Sequence, residues 1–408
     1  MKREFALKIF EGFSIERWND LVRPFNIVEM DKDAEKMVVA YIIGKFEENR
    51  GVRIDWEWMI YASLFDLLRK ISLCDIKSPV QRLIKNLYPQ EFIRLNEWVL
   101  QQYAGLIEDK DLFSRFTLYI GKMSGSIPYG EHQKETARVF RAAHKYSTMR
   151  ELDMLAPVNE PGRLERIRSD LNADLQGYLD LPGLQMLMTR QKPFEFLMRV
   201  EQLRFQTRWN QTPRVPRTSV LGHCFFVAVL TLLLSKETSA LNGIRMAPKR
   251  LYNNFFSALF HDLPESVTRD IISPVKKATD GLPAIVKNIE EQIVQEELVP
   301  LMEEFYRDEI LYFASDEFEN RIERGGVAES VSFEELNTLY NDDAFNPVDG
   351  KLVRLADHYS ALLEAELSIR HGITSSHLEE GKINLLNSYP KEKIVNGIDS
   401  HALFHSHS

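Results

Sequence analysis

The sequence predicts an all-α protein, on the strength of helical periodicity, few strand patterns and an internal repeat. Apolar residues recur three and four positions apart in segments such as 37–42 and 352–363, which is the spacing of one helix face. Alternating patterns of the strand type are scarce, and proline and glycine fall between the periodic segments, where they end helices. The 408 residues exceed an ordinary single core, so we expect more than one domain.

Two stretches that lie far apart share one frame. Residues 64–81 read LFDLLRKISLCDIKSPVQ and residues 259–277 read LFHDLPESVTRDIISPVKK. ERWND, EKMVVAYII and FRAAHKYS occur around the first stretch, and TRWNQ, HCFFVAVLT and VRLADHYS occur in the same order around the second. Several matches in one order predict a tandem duplication. We therefore predict two tandem helical domains of one fold, over 1–188 and 189–408.

Composition limits the partners and the compartment. The net charge of -9 disfavours nucleic acid and anionic membranes as partners. Two cysteines, Cys74 and Cys224, do not make a disulfide framework and fit a reducing compartment. The longest apolar run, FFVAVLTLLL at 225–234, is shorter than a membrane span. We expect a cytoplasmic protein that binds neither nucleic acid nor membrane.

Four potential metal ligands stand at the ends of apolar helices in the second domain: His223, His261, Asp262 and Asp357. Two imidazoles and two carboxylates suit a divalent ion of intermediate hardness. A buried His-Asp pair is costly unless a counter-charge compensates it, and a metal ion in such a site can activate water at neutral pH. The set predicts one divalent metal ion, with Mn, Co, Fe, Zn and Mg not distinguished.

The first domain differs at these four positions. Aligned on the shared frame it has other residues there: Glu35, Asp66, Leu67 and His144. The apolar frame around them stays similar while the ligands change. We predict that the first domain kept the fold and lost the metal.

The ligand pattern resembles the H…HD…D signature of the HD-domain metal-dependent phosphohydrolases. Within that superfamily the second domain is most similar to the YfbR-type bacterial 5′-deoxynucleotidases. The matching stretches are RWNQTPRVPRTSVLGH (208–223), HDLPESVTRDIISPVK (261–276) and LVRLADHYSALLEAEL (352–367). The resemblance implies a phosphohydrolase that removes the 5′-phosphate of (deoxy)nucleoside monophosphates, a small-molecule nucleotide substrate.

The resemblance also implies roles for single residues. Glu265 would orient or deprotonate the attacking water, and Asp262 would act beside it as a catalytic metal ligand. Four residues would contact the substrate: Arg208 the phosphate, Trp209 the sugar, Asp270 the 3′-hydroxyl and Lys276 the phosphate. For Glu265 the alternative is a carboxylate that only stabilises the first turn of a helix. For Arg208 and Trp209 the alternative is a structural role, because the pair recurs as Arg17 and Trp18 in the domain without the metal ligands.

Two other functions remain compatible with the sequence. One is an HD hydrolase of nucleoside triphosphates or of cyclic or hyperphosphorylated nucleotides. The other is a non-catalytic nucleotide sensor or scaffold. In each case we expect the first domain to pack on the second, as a dimer built within one chain.

Overall fold

The computed structural model describes residues 1–74, 76–269, 279 and 281–406, and the all-α prediction is confirmed. The N-terminal half contains these helices: α1 (Arg3–Phe10), α2 (Glu29–Asn49), α3 (Trp56–Leu73), α4 (Ser78–Leu87), α5 (Pro89–Tyr103), α6 (Lys110–Ser124), α7 (Glu131–Leu155), α8 (Pro161–Gln176) and α9 (Pro182–Met188). The C-terminal half continues with these: α10 (Lys192–Phe205), α11 (Val220–Leu241), α12 (Pro248–Phe260), α13 (Glu265–Thr268), α14 (Leu282–Ile293), α15 (Glu304–Ala314), α16 (Phe333–Thr338), α17 (Gly350–Arg370), α18 (Ser376–Asn387) and α19 (Ser400–His405).

Short strands, which the sequence pattern did not predict, interrupt the second half. β1 (Asn320–Arg324), β2 (Val327–Ser330) and β3 (Val348–Asp349) form an antiparallel sheet in the order β2-β1-β3. β4 (Ile394–Val395) pairs with β5 (Ile398–Asp399). Gly325 and Gly326 both have positive φ, as a two-residue hairpin turn requires. Strands of two to five residues are too short for a convincing period-two pattern.

The buried helices α2 and α11 lie at the centre and pack against each other. α2 also contacts α7 and α9, whereas α11 contacts α12 and α17. Buried apolar side chains from both halves form one continuous cluster, from Phe5 to Phe404. Among the helices of the described residues, α11 is long and apolar enough to cross a membrane, but 89% of its most apolar stretch is buried within the protein. Its packing is that of a core helix.

The halves contact each other through apolar and polar groups. Phe10 and Phe13 pack edge-on against Phe226 of α11. The Ser219 hydroxyl, which caps α11, also donates to the carboxylate of Asp31 in α2. The N-terminal half therefore contacts the segment that enters α11.

Both halves share one local geometry before their central helices. An isolated antiparallel bridge joins residues 16 and 28, and another joins residues 207 and 219. Trp18 and Trp209 have nearly equal positive φ values of 56° and 54°. α2 and α11 begin directly after these bridges, so this register sets Lys32 opposite His223. Our sequence alignment, which set Glu35 opposite His223, is wrong by one helical turn. The domain boundary at 188 stays a prediction.

Candidate metal centre

His223 is held in the first turn of α11. The side chain of Ser219 accepts a hydrogen bond from the Gly222 amide and caps the helix, as serine does at this position. The imidazole is fully buried. Its Nδ1 lies 3.1 Å from the Ser360 hydroxyl, and its Nε2 lies 3.0 Å from Asp357 Oδ1 on α17.

His261 and Asp262 follow directly on the end of α12. The Nδ1 of His261 donates to the Ala258 carbonyl at 2.7 Å. A neutral ring with its proton on Nδ1 carries a free lone pair on Nε2. That Nε2 lies 3.3 Å from Asp262 Oδ2, which is 4.0 Å from the Nε2 of His223. Two imidazole nitrogens and a carboxylate therefore converge.

These donors fit a divalent cation. The Nε2 atoms of His223 and His261 are buried without a hydrogen-bond partner, a costly state unless something else binds them. In the described residues, one ligand atom each from His223, His261 and Asp357 lie within 4.8 Å of one another, and so do those of Cys224, His261 and Asp262. The two groups share His261, and Asp262 belongs to the second group and not to the first. Nitrogen and oxygen donors at these spacings suit a transition-metal ion.

The pKa values of His223 and Asp357 are shifted by the charges around them. Burial and the charge of Arg208 oppose a proton on His223, but the carboxylates of Asp357 and Glu364 outweigh them and raise its pKa. Burial favours a neutral Asp357, but His223 and then Arg208 lower its pKa. The centre therefore attracts positive charge, and metal binding would compete with protons.

Arg208 lies beside both carboxylate ligands. Its Nη1 is 3.7 Å from Asp262 Oδ2 and its Nη2 is 3.6 Å from Asp357 Oδ1. Its Nε is 3.5 Å from Glu364 Oε1. Burial disfavours the cation, but these carboxylates, Glu364 first, raise the pKa of Arg208. A guanidinium is therefore fixed at the edge of the metal position.

Glu364 is a central residue that the sequence analysis missed. This fully buried carboxylate accepts from the Trp209 indole at 2.9 Å and from the Thr218 hydroxyl at 3.2 Å. Its Oε1 lies 3.7 Å from His223 Nδ1. It follows Asp357 by seven residues, which is two helical turns. The same spacing separates His144 and Glu151 in the first half, a repeated feature that could have identified it.

Trp209 makes structural contacts, which is the alternative that the recurrence of the Arg-Trp pair left open. Its N–H is bonded to Glu364, and its ring lies against α18 at Gly381, where a Cβ atom would stand 2.8 Å from the ring. Trp18 makes the same indole bond to Glu151 at 2.8 Å. The contact of Trp209 with a sugar stays a prediction.

Glu265 lines a cavity of about 440 Å³ together with His261 and Asp262. Glu265 follows His261 by four residues, but the two do not lie on one continuous helix, because α12 ends at Phe260 and α13 begins at Glu265. The residue before Pro264 is disfavoured in helical conformation, which explains the break. Asp270 and Lys276, which we predicted to bind substrate, lie outside the described residues.

In the first half, lysines contact the carboxylates of the region that corresponds to the metal centre. Lys36 contacts Asp33 at 2.6 Å and Asp66 at 2.5 Å. Lys70 contacts Glu29, Asp33 and Asp66 within 3.2 Å. An ammonium group between carboxylates supplies the positive charge that a metal would supply. The predicted loss of the metal set is consistent with this arrangement.

Comparison with known proteins agrees with the geometry. A search of the curated proteins found no match to this chain. Residues 200–386 match the family model described as HD domain, a range that contains His223, His261, Asp262, Asp357 and Glu364. This match and the converging imidazoles and carboxylates support the presence of an HD domain, of the superfamily of metal-dependent phosphohydrolases, in the C-terminal part of this chain.

Proposed function

We propose that this chain is a metal-dependent phosphomonoesterase that removes the 5′-phosphate of (deoxy)nucleoside monophosphates in its C-terminal half. The observation that carries the proposal is the convergence of the buried Nε2 atoms of His223 and His261 on the carboxylates of Asp357 and Asp262, within the region that matches the HD domain. Asp262 and Asp357 are 17% and 19% exposed. A substrate can therefore reach the centre.

Different side chains of this half would have different roles in phosphate hydrolysis. A bound divalent ion would supply Lewis acidity and an activated water. Glu265, on the cavity wall beside His261 and Asp262, would accept the proton of the attacking water. The Arg208 guanidinium, next to both ligand carboxylates, would pair with the phosphoryl oxygens and offset their charge.

Charge favours a monophosphate over a triphosphate. The described wall of this cavity carries seven carboxylates: Asp262, Glu265, Glu290, Glu291, Asp316, Glu317 and Glu319. Only Lys287 and Arg354 supply positive side chains among the described lining residues. Each added phosphate group would increase the repulsion from this wall. A singly phosphorylated nucleotide is the substrate that this arrangement repels least.

The test is phosphate release by the metal-stripped protein. Ribo- and deoxyribonucleoside mono- and triphosphates would be offered, with Mn, Co, Fe, Zn or Mg added back singly. We expect metal-dependent release from monophosphates and none from the His261→Ala, Asp262→Ala variant. Phosphate release from triphosphates alone would contradict the proposal and indicate a nucleoside triphosphate hydrolase. Absence of phosphate release from every nucleotide, with metal bound, would contradict it in favour of a non-catalytic sensor.

Glu265→Gln separates catalysis from binding. We expect turnover to fall by about 10²-fold or more, the usual contribution of a general base, while metal binding persists. Glu334→Gln on the remote helix α16 is the matched control and should keep full activity. Unchanged turnover in Glu265→Gln would remove this residue from the mechanism.

A further inference from the structure

A second cavity of about 440 Å³ lies in the N-terminal half. The loop before α2 forms one wall with Arg17 and Trp18, and α7 and α8 form another. Residues 76–79 and Arg82, at the start of α4, close a third side. The cavity lies beside the Arg-Trp pair and His144, as the metal centre lies beside Arg208, Trp209 and Asp357.

Cationic side chains outnumber carboxylates in the described lining of this cavity. Five cationic side chains line it: Arg17, Lys77, Arg82, Lys145 and Arg166. Among the described lining residues, Asp20 and Asp170 are the carboxylates that oppose them. Two of the cations share one further carboxylate, since Lys145 and Arg82 both pair with Asp174, at 2.6 and 3.5 Å. Lys77 pairs with Asp20 at 2.5 Å, and Arg17 pairs with Glu29 and Glu151 at 2.7 and 2.9 Å. Most of these cations are therefore already paired within the protein, and Arg166, which has no ion pair among the described residues, is the cation best placed to meet an anion.

Its remaining surface is apolar and partly aromatic. Trp18, Ile76, Pro79, Ile167 and Leu171 supply this part of the lining. The Trp18 N–H and the Arg17 guanidinium are both bonded to the buried Glu151, so this part of the wall is fixed. Apolar and aromatic side chains beside cationic ones suit a ligand that joins a flat ring to a phosphate.

No hydrolytic centre accompanies this cavity. Among the described residues, the groups of potential metal ligands fall in the C-terminal half. In the first half, Lys36 and Lys70 contact the carboxylates of Asp33 and Asp66. Lys32, opposite His223 in the shared register, donates to the His144 carbonyl at 2.8 Å. In the described part of the first half, ammonium groups therefore contact the carboxylates of the region that corresponds to the metal centre.

From the volume, the cationic lining and the indole wall, we infer that this cavity binds a nucleoside monophosphate without hydrolysing it. The inference does not depend on the proposed activity, because none of its residues belongs to the metal centre. It assigns the N-terminal half a binding function of its own.

The test uses the full chain with His261→Ala and Asp262→Ala, in chelator, so that hydrolysis and metal-dependent binding are removed. Calorimetry would titrate in a nucleoside monophosphate, the matching nucleoside and inorganic phosphate. We expect one site per chain for the nucleotide, with weaker binding of the two fragments. On the same background, Arg82→Glu with Arg166→Glu should weaken the nucleotide by about tenfold or more, through loss of charge-assisted contacts.

The matched control carries Arg94→Glu with Arg245→Glu, two exposed arginines outside the cavity. It makes the same change in net charge and should leave affinity unchanged. Equal melting temperatures of the two double variants would establish that both are folded. The inference is overturned by absent binding, by equal weakening in both variants, or by inorganic phosphate that binds as tightly as the nucleotide. Because the assay measures no turnover, its outcome is separate from that of the proposed function.

Discussion

At the scale of single residues, the metal centre depends on a carboxylate that does not face the metal position. Glu364 lies behind His223, within 3.7 Å of its Nδ1, and holds the Trp209 indole. Partners behind metal ligands fix the orientation and basicity of those ligands. Burial opposes the charge on Glu364, but Arg208 and Arg214 lower its pKa. It therefore stays ionised at neutral pH.

Glu364→Gln should loosen this support. We expect metal affinity to fall about 10- to 100-fold, the usual cost of losing such a partner. Calorimetric titration of the stripped protein with Zn or Mn would measure it. Glu379→Gln, on the exposed face of α18, is the control. Equal affinity in both variants would mean that Glu364 does not orient the ligands.

Glu309 links the halves and predicts a pH dependence of stability. Its carboxylate accepts from the hydroxyls of Tyr41 and Tyr252, each at 2.7 Å, and pairs with Lys249 at 2.6 Å and Lys45 at 3.2 Å. Burial opposes the charge, yet the lysines and then the hydrogen bonds lower the pKa of Glu309 from 4.5 to about 2. A lowered native pKa stabilises the fold above pH 4.5, and that stability is lost as the pH falls towards 2.

Glu309→Gln should therefore lower the free energy of unfolding at pH 7 by up to about 3 kcal/mol, from 1.4 kcal/mol per pH unit. The difference from the unchanged protein should shrink between pH 4.5 and pH 2. Urea denaturation at several pH values would measure both. A difference that does not vary with pH would show that charge on Glu309 contributes little.

At the scale of elements, a proline in the second half interrupts a helix that is continuous in the first half. α3 runs unbroken from Trp56 to Leu73 and contains Asp66, whereas α12 ends at Phe260 just before His261. The second half has Pro264 where the shared frame puts Arg69 in the first. Proline disfavours helical conformation in the preceding residue. The break leaves His261 and Asp262 in a turn beside α11.

The contact between α2 and α11 requires a residue without a side chain at Gly222. A Cβ atom there would stand 2.5 Å from Asp31 Oδ1 and 2.8 Å from the Phe13 ring. Gly222→Ala should lower the free energy of unfolding by about 1–3 kcal/mol, as overpacking does. Thermal denaturation would measure the loss. Gly162→Ala, with open space around its Cβ, should cost nothing, and equal stability of the two variants would contradict the close contact.

At the scale of the whole molecule, each half covers the central helix of the other. α2 and α11 are in contact, and the apolar core is continuous between the halves. Arg204 of α10, fully buried, pairs with Glu35 at 2.5 Å and lies 3.7 Å from Glu151. We propose that the first half takes the place of a second subunit.

This proposal predicts a monomer in solution. Light scattering during size-exclusion chromatography should report the mass of one chain at micromolar concentration, with or without metal. A dimer that persists on dilution would contradict it, because the surface used for pairing would then lie elsewhere.

The sequence by itself determined the all-α class and the kinds of residue at the metal centre. Helical periodicity is local, and a His-Asp pair at a helix end is visible in a single stretch. The sequence also predicts a repeat. Its alignment at α2 was wrong by one helical turn, since a shift of one turn leaves the apolar pattern almost unchanged.

Only the tertiary structure decided which groups support those ligands. Ser360 and Glu364 lie on α17, far along the chain from His223, and they contact it because α17 packs on α11. Arg208, before α11, reaches Asp357 and Glu364 through the same packing. The structure also decided that lysines occupy the corresponding region of the first half. The reason is physical: residue type and periodicity are properties of a segment, whereas the pairing of buried charges depends on which segments share a core.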